Sequence, residues 1–153
     1  MSGEQLRRLA DSGSTPAELD ALWASLRVVR AEEVLGRYRG RAIPTGHPLE
    51  KALVRSRWWG KDFRALDDVS PLLCLDEAGE IFSNVELGNG EASLWQVEFR
   101  GEVTAAMVYD GQPVIDHVKL ADDGLLLGIM NGKGPHILFD GAPFYFLLEL
   151  DRT

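Results

Sequence analysis

The segment YDGQPVIDHVKL (Tyr109–Leu120) contains the two side chains best suited to acid–base or ligand-binding chemistry, the carboxylate of Asp116 and the imidazole of His117. The turn residues Asp110–Pro113 lead into a predicted strand, in which side chains alternate between two faces. Asp116 therefore shares its face with the apolar residues Val114, Val118 and Leu120. Because burying an unpaired charge is costly, Asp116 requires a donor from elsewhere, such as an arginine, a tyrosine hydroxyl or another histidine. It is then either a satisfied polar anchor, the default, or a general base whose pKa is raised by burial.

His117 points to the opposite face of the same strand, so it cannot form a catalytic dyad with Asp116. His47, His117 and His136 show no metal-ligand spacing of the His-x-His or HExxH type. The single cysteine, Cys74, lies between two leucines, as a buried thiol would. We therefore expect no metal site and no cofactor.

Length and composition favour one domain over residues 1–153, with 45% hydrophobic residues and a formal net charge of −8. Residues 1–64 carry 12 Lys/Arg against 8 Asp/Glu, whereas residues 65–153 carry 4 against 16. The negative net charge argues against a general nucleic-acid binder. The asymmetry could steer an anion to the first half or dock the two halves onto each other, and docking is favoured because both halves are expected to belong to one fold. Without a signal-like or membrane-spanning apolar run, we expect a cytoplasmic protein with no stable membrane insertion.

Helical signals are concentrated early in the chain. Two helices are predicted at the start, the second with Ser14 or Thr15 as its cap and Pro16 in its first turn. Its apolar stripe has helical spacing and consists of Leu19, Leu22, Trp23 and Leu26. A further short helix is predicted at Pro48–Ser56.

Most of the remaining chain is predicted to form strands separated by glycine- and aspartate-rich turns. The predicted strands are Glu33–Ala42, Trp58–Arg64, Pro71–Leu75, Glu80–Val85, Leu94–Arg100, Glu102–Tyr109, Val114–Leu120, Leu125–Met130 and Phe144–Leu150. Their close spacing favours sequential hairpins, and a meander of this length usually closes because closure removes its edges. The predicted fold is mainly β with N-terminal helices, an antiparallel meander closed into a barrel whose last strands come from residues 66–153.

Several predicted strands are apolar on both faces, which indicates an apolar interior and an outer patch covered by the helices or by a second subunit. An eight-stranded barrel is either filled by side chains or holds one small ligand. Met107 and Tyr109, with Trp95 or Phe99, are predicted to line that interior.

Residues 36–40 read Gly-Arg-Tyr-Arg-Gly, a pattern typical of a strand that bends sharply while an aromatic ring closes a barrel end. Tyr38 then faces inward. Arg37, Arg39 and Arg41 share the other face, as a solvated or ion-paired surface or as an anchor for an anionic group.

The neighbours Trp58 and Trp59 are expected to point to opposite faces of their strand, one into the core and one toward a helix or a ligand. Alternation places Lys61 with Trp59 and Phe63. Its stem then lies on aromatic rings with the ammonium in water, or the ammonium stands at the mouth of a pocket.

Residues 35–49 (LGRYRGRAIPTGHPL) and 57–63 (RWWGKDF) resemble the bacterial and fungal family named for its GXWXG motif. Residues 94–150 resemble the domain of unknown function that follows it in the same proteins. Tyr38 stands where the family has tryptophan, which adds a hydroxyl that needs a partner. The resemblance implies a lipocalin-like or fatty-acid-binding-protein-like β-barrel, without established catalytic residues, and marks the region from Tyr109 to His117 as the first place to seek a site.

Three functional hypotheses follow. The first is a barrel that binds a small apolar or amphipathic ligand, such as a fatty acid or a lipid, and has no catalytic activity. Its candidate ligand-binding residues are Tyr38, Trp58, Trp59, Met107, Tyr109, Asp116 and His117. The second is an enzyme of the cyclase or isomerase type with Asp116 or His117 as acid–base. The third is an interaction module that forms a homodimer through its outer apolar face.

Overall fold

Four α-helices, one 3-10 helix and nine strands form within residues 2–153, the part of the chain that this computed structural model describes. The helices are α1 (Ser2–Ser12), α2 (Pro16–Ser25), the 3-10 helix Ala31–Val34, α3 (Leu49–Arg55) and α4 (Val85–Gly88). The strands are β1 (Gly36–Ala42), β2 (Trp58–Ala65), β3 (Asp68–Leu75), β4 (Ile81–Ser83), β5 (Ala92–Phe99), β6 (Glu102–Tyr109), β7 (Val114–Asp122), β8 (Leu125–Gly132) and β9 (Tyr145–Leu150).

Eight of the strands close into an antiparallel barrel, in which β9 pairs back onto β1 and β2 pairs with β3. The remaining strand, β4, pairs only with the end of β3. The prediction of a mainly β chain closed into an antiparallel barrel is confirmed. Tight turns connect the hairpins; between β5 and β6 both Arg100 and Gly101 have positive φ, the geometry that suits the twist of paired strands.

The wall of the barrel is least continuous between β3 and β5, because the edge of β3 opposite β2 divides its pairing between β5 and β4. Val69 pairs with Ala92 of β5, whereas Leu73 to Leu75 pair with β4. The short helix α4 follows β4 and packs against β3 at this point. The helix begins at Val85, the last residue of the predicted strand Glu80–Val85. Its N-cap is Asn84, whose side chain accepts a hydrogen bond from Leu87 N.

The apolar residues form two cores, one on each side of the barrel wall. The inner core includes Tyr38, Phe63, Met107, Val118 and Phe146. The outer core lies between the N-terminal helices and strands β8 and β9, and includes Leu6, Leu22, Trp23, Leu127 and Leu147. The predicted cap of α2 is confirmed, since Glu18 N donates to Thr15 Oγ1 at 3.2 Å. The strands that are apolar on both faces therefore face a core on each side.

Candidate functional site

Inside the barrel, Asp116 of β7 forms a buried ion pair with Lys61 of β2. Lys61 Nζ lies 3.1 Å from Asp116 Oδ2, and both residues are only 3% exposed. The same ammonium donates a hydrogen bond to the carbonyl oxygen of Pro71 at 3.1 Å. Asp116 faces the interior as predicted, and its donor is the lysine, which was not among the expected partners.

Lys61 reaches the interior because the pairing of β2 with β3 is irregular. Register shifts occur between Trp58 and Gly60 and again between Gly60 and Asp62. As a result Trp58 and Lys61 both point inward, while Trp59 points outward. The expectation that Lys61 shares a face with Trp59 is therefore wrong. Of the two alternatives for its ammonium, burial excludes the one in water, and Lys61 instead lines the cavity. A glycine inside a strand often marks a bulge, so Gly60 was the available signal.

Aromatic rings surround the Lys61 ammonium on its remaining sides. Its Nζ lies 5.3 Å from the centroid of Phe146, 5.6 Å from that of Trp58 and 5.8 Å from that of Tyr109. The negative faces of aromatic rings attract a cation, and the attraction is stronger when the cation is desolvated. These rings help to hold a charged lysine in an otherwise apolar interior.

The second oxygen of Asp116, Oδ1, is buried and has no hydrogen-bond partner within residues 2–153. Burial raises the pKa of Asp116, and the Lys61 ammonium offsets only part of that effect. Burial, and then the Asp116 carboxylate, raise the pKa of Tyr109 well above its usual value, so its phenol is neutral. The site therefore presents a buried acceptor oxygen beside a buried ammonium.

A cavity of about 320 Å³ opens onto this pair. Its lining is mostly apolar and aromatic, with Lys61, Tyr109, Gln112, Asp116 and His136 as the polar members. The apolar members are Leu49, Ala52, Leu53, Trp58, Leu72, Leu87, Val114, Met130, Ile137, Phe144 and Phe146. An apolar pocket with a few convergent polar groups is the usual form of a small-molecule site.

Three segments outside the barrel wall line part of the cavity: α3, α4 and the connection between β8 and β9. His47 fastens this connection, because its Nε2 lies 3.0 Å from the carbonyl oxygen of Ile137 and its ring packs edge-on against Phe144. Gln112 fastens α4 by donating to the carbonyl oxygen of Gly88 at 3.0 Å. No sequence pattern indicates that His47 or Gln112 shapes a site.

Glycines in the strands make room for the rings that line the cavity. A Cβ on Gly40 would overlap the Trp58 indole, and a Cβ on Gly128 would overlap the Phe146 ring. A Cβ on Gly60 would overlap the backbone carbonyl of Tyr38 on the neighbouring strand. The second glycine of the motif at residues 36–40 thus serves to seat Trp58.

Of the seven predicted ligand-binding residues, Trp58, Tyr109 and Asp116 line the cavity. Tyr38 and Met107 are buried in the inner core but do not line it. The Tyr38 ring packs 5.5 Å from that of Phe63, and burial raises the pKa of its phenol to about 12. Tyr38 and Met107 therefore fill the part of the barrel interior beside the cavity.

The other two predicted site residues, Trp59 and His117, lie on the outer side of the barrel. The Trp59 ring is flanked by the guanidinium groups of Arg37 and Arg39, at 4.8 and 5.4 Å from its centroid. Arg41 pairs with Asp11 at 2.7 Å, so the predicted arginine face is stacked and ion-paired. Trp59 therefore does not line the barrel cavity.

His117 faces the outer layer, as its strand position predicts, and therefore cannot contact a ligand in the cavity. Its imidazole stacks on Phe99 with ring centroids 3.9 Å apart, and its Nε2 lies 3.2 Å from Asn131 Nδ2. Burial, with a smaller contribution from Arg100, lowers its pKa to about 4. Phe99 is thus outside the barrel, and so is Trp95, which is 58% exposed; the prediction that they line the interior is wrong.

Two family models match the chain in succession. The model described as GXWXG protein matches residues 21–79, and the model described as domain of unknown function (DUF4334) matches residues 90–150. A crystal structure of a protein from Thermomonospora curvata is 34% identical, covers 99% of each chain and superimposes with a TM-score of 0.87. The chain belongs to the GXWXG family. The comparison with curated proteins found no match.

In this GXWXG family member, strands from both matched segments form one barrel, and the ion pair joins them. Lys61 lies in the first segment and Asp116 in the second. Among residues 2–153, no group of three His, Cys, Asp or Glu side chains is placed to hold a metal ion. No helix in the described chain has the length and apolar character needed to cross a membrane.

Proposed function

We propose that the barrel binds one small, largely apolar molecule whose single polar group reaches the Lys61–Asp116 pair. The observation that carries this proposal is the unpartnered Oδ1 of a buried carboxylate that lines an apolar cavity. Buried polar atoms in folded proteins nearly always have a hydrogen-bond partner. A bound molecule that donates to this oxygen would complete the site.

The dimensions and chemistry of the cavity support a ligand of modest size. A volume of about 320 Å³ corresponds to about ten non-hydrogen atoms, taking about 30 Å³ for each water-sized group. Transfer of such a molecule from water into an apolar lining is favourable, at about 25 cal/mol for each Å² of apolar surface buried. A short-chain lipid, a fatty acid fragment or a compact aromatic metabolite fits this description, whereas a full-length phospholipid does not.

Native isolation tests the proposal most directly. The protein would be purified from cells without detergent and denatured, and the released small molecules identified by mass spectrometry. We expect one apolar compound class at near-stoichiometric amount.

The matched variants are Val114→Trp, which fills the cavity, and Val103→Trp, which adds the same ring at an exposed position on β6. Retention of the compound by Val103→Trp and its loss from Val114→Trp would support binding in the cavity. Equal amounts in both variants, or no compound in the wild-type protein, would contradict it.

One observation also favours a second candidate function, an acid–base enzyme of the isomerase or cyclase type. Burial raises the pKa of Asp116, and this residue lines the cavity with one carboxylate oxygen that has no partner in the described chain. His117 cannot take this role, because it lies on the other side of the barrel wall.

Incubating the isolated compound with the protein in D₂O separates the two functions. Deuterium incorporation that is absent with Asp116→Asn would indicate catalysis, and unchanged compound would indicate binding alone.

A further inference from the structure

We infer that the polar group of the ligand is a neutral hydroxyl, as in an alcohol or a phenol, and not a carboxylate. This inference rests on the proposed function, and it concerns what the Lys61–Asp116 pair selects. Two independent features support it: the charge balance of the pair and its free hydrogen-bonding positions.

The charge balance of the site leaves no counter-charge for an ionised ligand. Lys61 and Asp116 neutralise each other at 3.1 Å, and the other buried lining residues carry no formal charge. A ligand carboxylate that reached the pair would lie beside the Asp116 carboxylate in a medium of low dielectric constant, where like charges repel strongly. A ligand ammonium would be equally uncompensated beside Lys61. A neutral group avoids both costs.

The free positions of the pair match a hydroxyl. Asp116 Oδ1 can only accept a hydrogen bond, and no residue of the described chain donates to it. Lys61 Nζ has three N–H donors, of which one is directed to Asp116 and one to the carbonyl oxygen of Pro71. A hydroxyl both donates and accepts, so it can satisfy Oδ1 and the remaining N–H together. An aldehyde, ketone or ester only accepts, and would leave Oδ1 without a partner.

Selectivity is expected to be high, because a site built to hydrogen-bond a hydroxyl strongly rejects an analogue that lacks it. Three probes of equal chain length isolate the polar group: 1-octanol, octanal and octanoate. Isothermal titration calorimetry measures the binding of each probe to the wild-type protein at pH 8, where octanoate is ionised. We expect 1-octanol to bind at least tenfold more tightly than octanal and octanoate.

The variant Asp116→Asn removes the negative charge and leaves Lys61 as the sole charge of the pair. We expect the preference for 1-octanol over octanoate to fall by at least tenfold in this variant. Asp62→Asn is the matched control, since Asp62 lies on the same strand as Lys61 and its carboxylate is directed to Arg64, outside the cavity. Its preference should equal that of the wild-type protein. The double variant Lys61→Met/Asp116→Leu provides a second measurement if Asp116→Asn fails to fold, and it should bind 1-octanol and octanal about equally.

The outcomes separate this inference from the proposed function. Tighter binding of octanoate than of 1-octanol by the wild-type protein would overturn the inference and leave a ligand-binding barrel. Equal affinity for all three probes would do the same. Failure of all three probes to bind the wild-type protein would overturn both the inference and the proposed function.

Discussion

At the positions of Lys61 and Asp116, apolar side chains could be buried at a lower cost in free energy than this ion pair. Removing two charges from water costs several kcal/mol for each ion, and their mutual attraction repays this only when the geometry is good. Here one oxygen of the carboxylate lacks a partner in the described chain, so the pair is incompletely compensated. A contribution to the stability of the fold therefore explains the pair poorly, which is why we propose for it a role in ligand binding.

The first prediction concerns the stability of this pair. Asp116→Leu leaves the Lys61 ammonium buried and unpaired, and we expect the free energy of unfolding to fall by about 3–5 kcal/mol. The double variant Lys61→Met/Asp116→Leu should recover the wild-type value or exceed it, because a well-packed apolar pair replaces the ions. Urea denaturation followed by tryptophan fluorescence measures both. With Lys61→Met measured as the second single variant, a double variant that loses the sum of the two single losses would show that the residues act independently.

The second prediction concerns pH and His117. The pKa of this imidazole is about 4 in the folded protein and near 6.5 when unfolded, so the unfolded chain binds more protons between these values. The free energy of unfolding should therefore fall as the pH is lowered from about 6.5 to about 4, by up to about 3 kcal/mol at 1.4 kcal/mol for each pKa unit. Urea denaturation at several pH values should show a shallower dependence in His117→Gln. His136→Gln, which changes an exposed histidine, should behave as the wild-type protein, and equal slopes in all three would refute the assignment.

At the scale of the elements, the sequence predicts that β2 forms, but not which way its side chains face. All nine predicted strands form, because turn residues and alternation are local signals that the chain carries in its sequence. The facing of Trp58, Trp59 and Lys61 depends on how β2 pairs with β3, and a register shift in that pairing has no unambiguous sequence signal. Alternation predicts the facing of Asp116 correctly because β7 pairs regularly around it, whereas no local pattern identifies Lys61 as its partner.

The third prediction concerns the close contact of β1 with β2. Gly60→Ala places a methyl group against the backbone carbonyl of Tyr38, which cannot move without breaking the strand pairing. Gly40→Ala places one against the Trp58 indole, a side chain that can shift into the cavity. We expect a loss of several kcal/mol or failure to fold for Gly60→Ala, and a smaller loss for Gly40→Ala. Thermal unfolding ranks the two, and the reverse order would contradict the role given to Gly60.

At the scale of the whole molecule, the barrel wall separates two apolar layers of different purpose. The inner layer surrounds the cavity, and the outer layer fastens the N-terminal helices to β8 and β9. Polar contacts reinforce the outer layer: Tyr145 Oη donates to Asp20 at 2.7 Å, and Lys119 Nζ donates to the carbonyl oxygen of Trp23 at 2.9 Å. The helices are thus a structural cover for one side of the barrel.

The fourth prediction tests that cover. Deletion of residues 1–26 would expose a contiguous apolar surface on β8 and β9 that includes Leu125, Leu127, Ile129 and Leu147. We expect the truncated chain to aggregate, because exposed apolar patches of this kind drive association. The soluble fraction after expression and light scattering measure the effect. The control is Val103→Ser, which changes one exposed apolar residue and should remain soluble; a soluble, monomeric truncated barrel would contradict the prediction.

The ion pair between β2 and β7 also has a consequence for sequence variation among homologues. Lys61 and Asp116 lie in segments that two separate family models describe, yet each charge destabilises the interior when the other is absent. A lineage that replaces one of them by an apolar residue comes under selection to replace its partner. We therefore expect the two positions to vary together among homologues, so that the two segments evolve as a single unit.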